Sequence, residues 1–156
     1  MEIKQLPKKE IKLIKSLIEK MSIDRAKKYD KLLKTNKKCA VANFNLIKKQ
    51  INKNKSAIFI AINGPKIIGY AFGTIEKLPE VRFKVARIGH IWDVFVEASH
   101  RNKRIGSALI KKLLSWFKEQ NTKYVRIGAF FGNPSLKLYK QLGFKERHTN
   151  LQMRLK

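Results

Sequence analysis

The chain has 156 residues, the usual size of one compact domain, and leaves little room for a second. Its 44% hydrophobic and 10% aromatic residues suffice for a core, which excludes wholesale disorder. Lysine and arginine number 36 against 11 aspartates and glutamates, a net charge of +25 that attracts nucleic acid, phosphorylated cofactors or acidic proteins. A composition bias explains the same excess equally well, because the basic residues are spread along the chain. We expect one domain over 1–156.

No segment has the length and apolar character of a membrane span, since the longest uninterrupted apolar run covers only residues 57–62. Glu2 and Pro7 stand where a signal peptide needs an apolar stretch. The sequence therefore predicts a soluble, cytoplasmic protein that does not act at a membrane.

The first fifty residues predict a short strand at 1–6 followed by helices. Apolar residues at helical spacing mark a first helix over 11–21 and a third over 41–51. Between them, Ser22 predicts the cap of a second helix that extends to Leu32 and Leu33.

The middle of the chain predicts an antiparallel meander. Strands are expected at 56–62, 66–76 and 86–96, and Asn63-Gly64 supplies the residues of a tight hairpin turn. A helix at 104–119 and a strand at 123–129 follow. The next helix begins at Asn133-Pro134 and ends before Gly143.

The tail, 144–155, predicts a pair of strands, because Leu151, Met153 and Leu155 alternate with polar residues. The last of these strands is also where we expect a homodimer contact, if it lies at a sheet edge. The whole order indicates a mixed α/β layer arrangement.

The most informative segment is 91–110, where a strand leads through a basic turn into a helix with Gly106 in its first turn. Main-chain amides at such a helix start lack partners, and the helix dipole adds positive potential, so the turn is suited to phosphate. Arg101, Lys103 and Arg104 add positive charge there, and Gly106 permits close approach of a ligand.

This segment resembles motif A of the GNAT family of acyl-CoA-dependent N-acetyltransferases, on Arg101, Arg104 and Gly106. Arg104 stands in place of the motif's first glycine, and a positive φ there would cost about 1 kcal/mol. Residues 133–144 are similar to motif B, where Tyr139 and Gly143-Phe144 match directly and Asn133 lies one residue closer to the tyrosine than usual.

The resemblance implies the GNAT acyl-CoA N-acyltransferase fold, an α+β arrangement with a central mixed, mostly antiparallel sheet flanked by helices. It implies that acetyl-CoA inserts between the fourth strand and the next parallel strand, where a strand bulge frees an amide for the thioester carbonyl. The implied cofactor-binding residues are Val94, Phe95, Val96, Arg101, Asn102, Lys103, Arg104, Ile105, Gly106, Ser107, Ala108, Asn133 and Tyr139.

The resemblance also implies acetyl transfer to a primary amine by direct attack, with no covalent enzyme intermediate and no metal. Tyr139 matches the tyrosine that faces the sulfur and would protonate the departing thiolate. For the base we consider His90, near the glutamate position of the histone acetyltransferases. Asp93 and Glu76 are the alternatives; a regular strand would place Asp93 on the face opposite to His90.

The acceptor stays open between a protein or peptide amine and a small-molecule amine. A polycationic acceptor would require an acidic groove, for which Glu76, Glu80, Asp93 and Glu97 are candidates. The +25 charge is also consistent with two alternative functions. One is an RNA-directed member of the fold that acetylates aminoacyl-tRNA, and the other is a nucleic-acid-binding module without catalysis.

Overall fold

The computed structural model describes residues 1–30, 32–53 and 55–155. Its elements follow the predicted order over most of the chain. They are β1 (Glu2–Gln5), a 3-10 helix (Lys8–Ile14), α1 (Lys15–Lys28), α2 (Lys37–Lys53), β2 (Lys55–Asn63), β3 (Lys66–Lys77), β4 (Arg87–Val96), a 3-10 turn (Ala98–His100), α3 (Ile105–Glu119), β5 (Val125–Ile127) and α4 (Ser135–Gln141).

The five strands form one sheet in the order β1-β2-β3-β4-β5. The first four are antiparallel to their neighbours, as hairpins and short connections allow, whereas β5 runs parallel to β4 after the crossover through α3. The mixed, mostly antiparallel sheet is therefore confirmed. Within the described residues, no helix combines the length and apolar character needed to span a bilayer.

Helices cover both faces of the sheet, and each face has its own core. The face under α1 and α2, called the α1 face below, buries side chains that alternate along the strands: Ile58, Ile60, Tyr70, Phe72 and Phe95. The opposite face, called the α3 face, packs the intervening residues against α3: Ala57, Phe59, Ala61, Ala71 and Ile91. The period of two along β2 and β3 thus places every second residue beneath a different helix layer.

Helix α3 lies very close to the sheet where it crosses β4. A Cβ built on Gly89 would come within 2.7 Å of the Phe117 ring. Only glycine permits this approach, which packs the C-terminal end of α3 against the amino half of β4.

The prediction of a separate second helix that begins at Ser22 is wrong. α1 continues through this residue, whose hydroxyl donates to the carbonyl of Ile18 at 2.9 Å instead of capping a new helix. Leu32 and Leu33, expected on that helix, lie in a turn and are exposed.

The two strands predicted for the tail are also not formed in its described part, 145–155. Leu151, Met153 and Leu155 alternate as a strand would but are 93%, 78% and 79% exposed. Alternation makes a segment able to pair, yet a strand needs a partner edge, and β5 offers only three residues. The expected homodimer contact at this strand stays a prediction without a formed strand to carry it.

Candidate active site

β4 carries a bulge at Trp92, where its register against β3 shifts by one residue. The bulge lies just before Val94–Val96. An extra residue reverses the side-chain alternation beyond it, so Asp93 faces α1 together with His90. The opposite placement expected for a regular strand therefore does not apply, because β4 is irregular here.

β4 and β5 separate next to this bulge. Their parallel pairing joins Gly89, His90 and Ile91 to the three residues of β5 and then stops. In the part of the chain that the structure describes, no strand pairs with residues 93–96 on that side. The result is a gap between the two strands, open at the carboxyl end of β4.

Main-chain groups along β4 point alternately toward β3 and toward this gap. The Glu97 amide donates to the Ile68 carbonyl in β3 at 2.9 Å. By the alternation of antiparallel pairing, Phe95 also bonds with β3, whereas Val94 and Val96 direct their main chains into the gap. The implied contact of Phe95 with a ligand in the gap is corrected accordingly: its main chain faces β3 and its ring belongs to the core of the α1 face.

The basic turn before α3 contains two residues with left-handed backbone, Asn102 at φ 62° and Arg104 at φ 60°. Arg104 is the N-cap residue of α3 and stands where the family motif has a glycine. The backbone therefore keeps the conformation that glycine adopts freely, and arginine bears a strain of about 1 kcal/mol.

The first turn of α3 presents main-chain amides that have no helical acceptors, at residues 105–107. Across the described residues, no side chain caps this helix start. A Cβ on Gly106 would approach Leu138 only to 3.7 Å and Val96 only to 4.0 Å, so neighbouring atoms do not require glycine there. Open space, free amides and the positive end of the helix dipole fit a pyrophosphate group.

The Arg101 side chain turns away from this turn toward α1. Its Nε donates to the Val96 carbonyl at 3.0 Å, its Nη2 lies 3.1 Å from Asp24, and its guanidinium lies 5.6 Å from the centroid of the Phe95 ring. We expected Arg101 to add positive charge near the phosphates. In the structure, the exposed side chains of residues 103–104 provide positive charge there instead.

Asp93 forms an ion pair with Arg25 of α1, with 2.7 Å between Oδ1 and Nη2. Burial raises the pKa of Asp93, while the charge and hydrogen bond of Arg25 and the hydrogen bond of the Tyr70 hydroxyl oppose the rise. The carboxylate is only 7% exposed. Its oxygens are engaged in a structural contact between strand and helix.

His90 is half-buried, and neighbours hold its ring in place. The imidazole stacks on Trp92 with 4.0 Å between centroids, and Trp92 Nε1 donates to Thr74 Oγ1 at 2.8 Å. The Nδ1 atom lies 3.4 Å from Glu76 Oε1. Burial lowers the pKa of His90, although Glu76 opposes this, so the imidazole is neutral at neutral pH.

α4 is held at both ends by the residues that predicted it. Asn133 Oδ1 accepts a hydrogen bond from the Ser135 amide at 2.9 Å. Gly143 has φ 92°, and the Phe144 amide donates back to the Tyr139 carbonyl at 3.0 Å. The Asn133 side chain thus acts as a helix cap, as expected from sequence.

Tyr139 belongs to the core of the α3 face and is 8% exposed. Burial raises the pKa of its phenol, which the hydrogen bond of Ser135 and the charge of Arg25 oppose. The charge of Asp93, which lies on the α1 face, acts with burial to raise this pKa. The sheet therefore carries the Tyr139 phenol on its α3 face and the His90 and Asp93 side chains on its α1 face.

Sequence reasoning missed three residues beside the gap. Tyr29, just after α1, stacks on Phe130 in the loop after β5 with 6.1 Å between centroids. The Arg25 guanidinium lies 6.0 Å from the centroid of the same ring. No local pattern indicates these contacts, because they join segments that are distant in the chain.

The acidic groove expected from sequence is largely neutralised. Asp93 pairs with Arg25, and Glu97 forms an ion pair with Lys20. Among the described carboxylates beside the gap, Glu76 differs because the side chain it contacts is a histidine that is neutral at neutral pH. The α1 face thus offers little net negative charge to a polycation.

Comparison with known proteins agrees with this geometry. The family model of the acetyltransferase (GNAT) family matches residues 19–144, which include most of α1, β4, the basic turn and α4. The chain belongs to the GNAT acetyltransferase family. An N-alpha-acetyltransferase from Sulfurisphaera tokodaii is 27% identical to this GNAT protein over 128 residues, 75% of the chain and 74% of the relative.

Two solved structures have the same fold. A tetramutant of the BH1408 protein from Bacillus halodurans superposes with a TM-score of 0.83 at 16% identity. The superposition covers 99% of this chain and 100% of the BH1408 chain. A predicted acetyltransferase from Clostridium acetobutylicum, crystallised with acetyl-CoA, has a TM-score of 0.76 at 21% identity and covers 98% and 95% of the two chains. This GNAT protein is an N-acetyltransferase that uses acetyl-CoA.

Proposed function

We propose that this GNAT acetyltransferase acetylates the α-amine at the N-terminus of a protein or peptide, by direct attack in a ternary complex. The observation that carries the proposal is the combination of a neutral imidazole, His90, on the α1 face of the sheet and a buried phenol, Tyr139, on its α3 face. The name of the Sulfurisphaera tokodaii relative, N-alpha-acetyltransferase, supports the choice of acceptor.

Acetyl-CoA supplies the acetyl group as an activated thioester. In our proposal the amides of residues 105–107 hold its pyrophosphate, with Lys103 and Arg104 adding long-range attraction. The main chains of Val94 and Val96 bind its pantetheine arm in the gap; the Val96 carbonyl is already engaged by Arg101, which leaves its amide. Asn102 and Ala108 shape the turn and the helix start, and Asn133 acts by capping α4.

The proposed step needs two proton transfers. The amine nitrogen forms a bond to the acetyl carbon as the carbon–sulfur bond breaks. His90 accepts the proton that the amine loses, and Tyr139 gives its own proton to the departing thiolate. Exchange with solvent then returns one proton to Tyr139 and removes one from His90, so the enzyme is restored.

His90 suits the role of base better than Asp93 does. Asp93 is almost fully buried and is engaged by Arg25, whereas His90 is half-exposed on the same face. Because burial lowers the pKa of His90, its proton-accepting form predominates at neutral pH.

An α-amine suits this base better than a lysine side chain. An unperturbed α-ammonium loses its proton about 2.5 pH units below a lysine ammonium, a difference of about 3.4 kcal/mol. A histidine with a lowered pKa is a weak base, so that difference decides which amine it can deprotonate. The neutralised carboxylates on the α1 face likewise do not favour a polycationic acceptor.

The +25 charge favours one second candidate, an aminoacyl-tRNA, which presents the same α-amine on a polyanion. Binding of tRNA that weakens steeply with salt would support it. A shallow or absent salt dependence, with retained activity on peptides, would favour the protein acceptor.

Labelled acetyl-CoA, assayed by mass spectrometry, tests the proposal with two matched peptides. One has a free N-terminus and a dimethylated lysine, and the other has a blocked N-terminus and a free lysine. We expect acetylation of the first peptide only. Faster modification of the lysine peptide, or failure to modify any α-amine while small amines are acetylated, would refute the proposed acceptor.

A further inference from the structure

We infer that Glu76 is a positioning residue for His90, fixing the imidazole with Nδ1 protonated and Nε2 free to accept the acceptor's proton. Nothing in the family motifs of this chain includes Glu76, which lies on β3. The inference rests on the proposed role of His90 as the base.

The sheet register places Glu76 beside His90. Thr74 is the residue of β3 directly opposite His90, and Glu76 lies two positions further along β3, opposite Ile88. Residues two apart share a face, so Glu76 is the diagonal neighbour of His90 on the α1 face. Its Oε1 lies 3.4 Å from Nδ1, within reach of a charge-assisted contact.

The carboxylate selects the tautomer of the imidazole. An ionised glutamate only accepts hydrogen bonds, and a neutral imidazole has one donor and one acceptor nitrogen. A hydrogen on Nδ1 faces Glu76 favourably, whereas a lone pair there would face a negative oxygen. Nδ1 therefore carries the hydrogen, and Nε2 carries the lone pair.

Trp92 holds the plane of the same ring. The two rings are stacked with an angle of 9° between their planes, and the indole is anchored to Thr74, which is fully buried. The bulge permits this arrangement, because it lets Trp92 and Asp93 face the same side without displacing His90. Stacking fixes the plane, and Glu76 fixes the rotation within it.

The charged groups that face His90 are Glu76 from β3 and Arg126, its register partner on β5. The negative charge of Glu76 favours the protonated imidazole. Burial and the positive charge of Arg126 both favour the neutral imidazole. Removing the negative charge of Glu76 therefore shifts the titration of His90 to lower pH.

Nitrogen NMR of the uniformly labelled protein tests the inference directly, because the chain has only three histidines. Long-range proton–nitrogen spectra distinguish the tautomers, and His90→Gln assigns the signal. We expect the Nδ1-protonated form in the wild type, a shift of the titration to lower pH in Glu76→Gln, and a change toward the other tautomer in Glu76→Met. His100 and His148 serve as internal references.

Steady-state kinetics on the free-N-terminus peptide provide the second readout. We expect kcat to fall about tenfold to a hundredfold in Glu76→Met, with the KM for acetyl-CoA unchanged. In Glu76→Gln the acidic limb of the pH profile moves to lower pH, which a merely structural role would not cause. Glu119→Gln removes the same charge from the exposed C-terminal end of α3 and should leave both readouts unchanged.

An Nε2-protonated His90 in the wild type, or a titration that Glu76→Gln does not move, would overturn the inference. So would altered NMR spectra with an unaltered kcat. The proposed function fails differently: His90→Gln would then keep the wild-type rate and pH profile, or the wild type would acetylate no α-amine.

Discussion

Asp93 of β4 and Arg25 of α1 form an ion pair that ties the strand at the centre of the site to the helix covering it, with 2.7 Å between the charged atoms. The carboxylate is 7% exposed and the guanidinium 32%. Removing one partner of such a pair leaves a charge without compensation in a dry environment. That penalty exceeds the attraction that the intact pair contributes.

We expect Arg25→Met to lower the free energy of unfolding by about 2–4 kcal/mol at neutral pH. The loss depends on pH. Burial raises the folded pKa of Asp93, so its contribution to stability is full below the unfolded value, 3.8, and is lost as pH rises through the folded pKa. In the wild type, the positive charge of Arg25 reduces this loss of stability. Because protonated Asp93 needs no such compensation, the free energies of unfolding of Arg25→Met and the wild type converge at low pH.

Urea denaturation between pH 4 and pH 8, with about 1 M steps refined near the midpoint, measures this dependence. Lys20→Met provides the matched control, because Lys20 pairs with Glu97 at a far more exposed site and should cost less than about 1 kcal/mol. A deficit in Arg25→Met that does not change with pH would contradict the assignment to Asp93.

Gly106→Ala should separate folding from cofactor binding. The added Cβ meets nothing closer than 3.7 Å, and alanine favours helix, so the free energy of unfolding should stay constant or rise by about 0.5–1 kcal/mol. The same methyl group, 4.0 Å from Val96, enters the space beside β4 that is proposed for acetyl-CoA. Affinity for acetyl-CoA should fall by about 1–3 kcal/mol, roughly 5- to 150-fold, in calorimetric titration.

Ser115→Ala is the control for this experiment, since Ser115 lies on the exposed side of the same helix. It should bind acetyl-CoA as the wild type does. Undiminished affinity in Gly106→Ala would show that acetyl-CoA does not lie against Gly106.

Arg104→Gly should stabilise the protein, because Arg104 has φ 60° and glycine adopts this conformation without strain. The expected gain is about 1 kcal/mol, or about 2–4 °C in Tm by scanning calorimetry. Lys103→Gly removes the same charge from a residue without a positive φ and should instead lower the Tm. Equal losses in both variants would contradict the strain at Arg104.

Tyr139→Phe should lower kcat by about a hundredfold while leaving the affinity for acetyl-CoA unchanged. Burial raises the pKa of this phenol, so Tyr139 keeps its proton throughout the neutral range and adds no alkaline limb to the pH profile there. Tyr124→Phe, at an exposed tyrosine just before β5, should match the wild type. A normal kcat in Tyr139→Phe would remove the phenol from the proposed step.

The sequence alone was sufficient for the order of elements from β2 to α4, the phosphate-suited turn and the bracketed α4. These features depend on side-chain periodicity and on neighbours within a few residues, and both are present in the amino-acid sequence itself. Asn133 and Gly143 act on the backbone next to them, so their roles at the two ends of α4 needed no knowledge of the rest of the molecule.

Only the tertiary structure decided which side chains share the gap. One extra residue at Trp92 moves Asp93 to the face of His90, and the position of that residue depends on how β4 pairs with β3. The ion pair of Arg25, the turning of Arg101 toward Asp24 and the unpaired tail are likewise set by contacts between distant segments. Local periodicity carries no information about such contacts, because it is the same whether or not a partner is present.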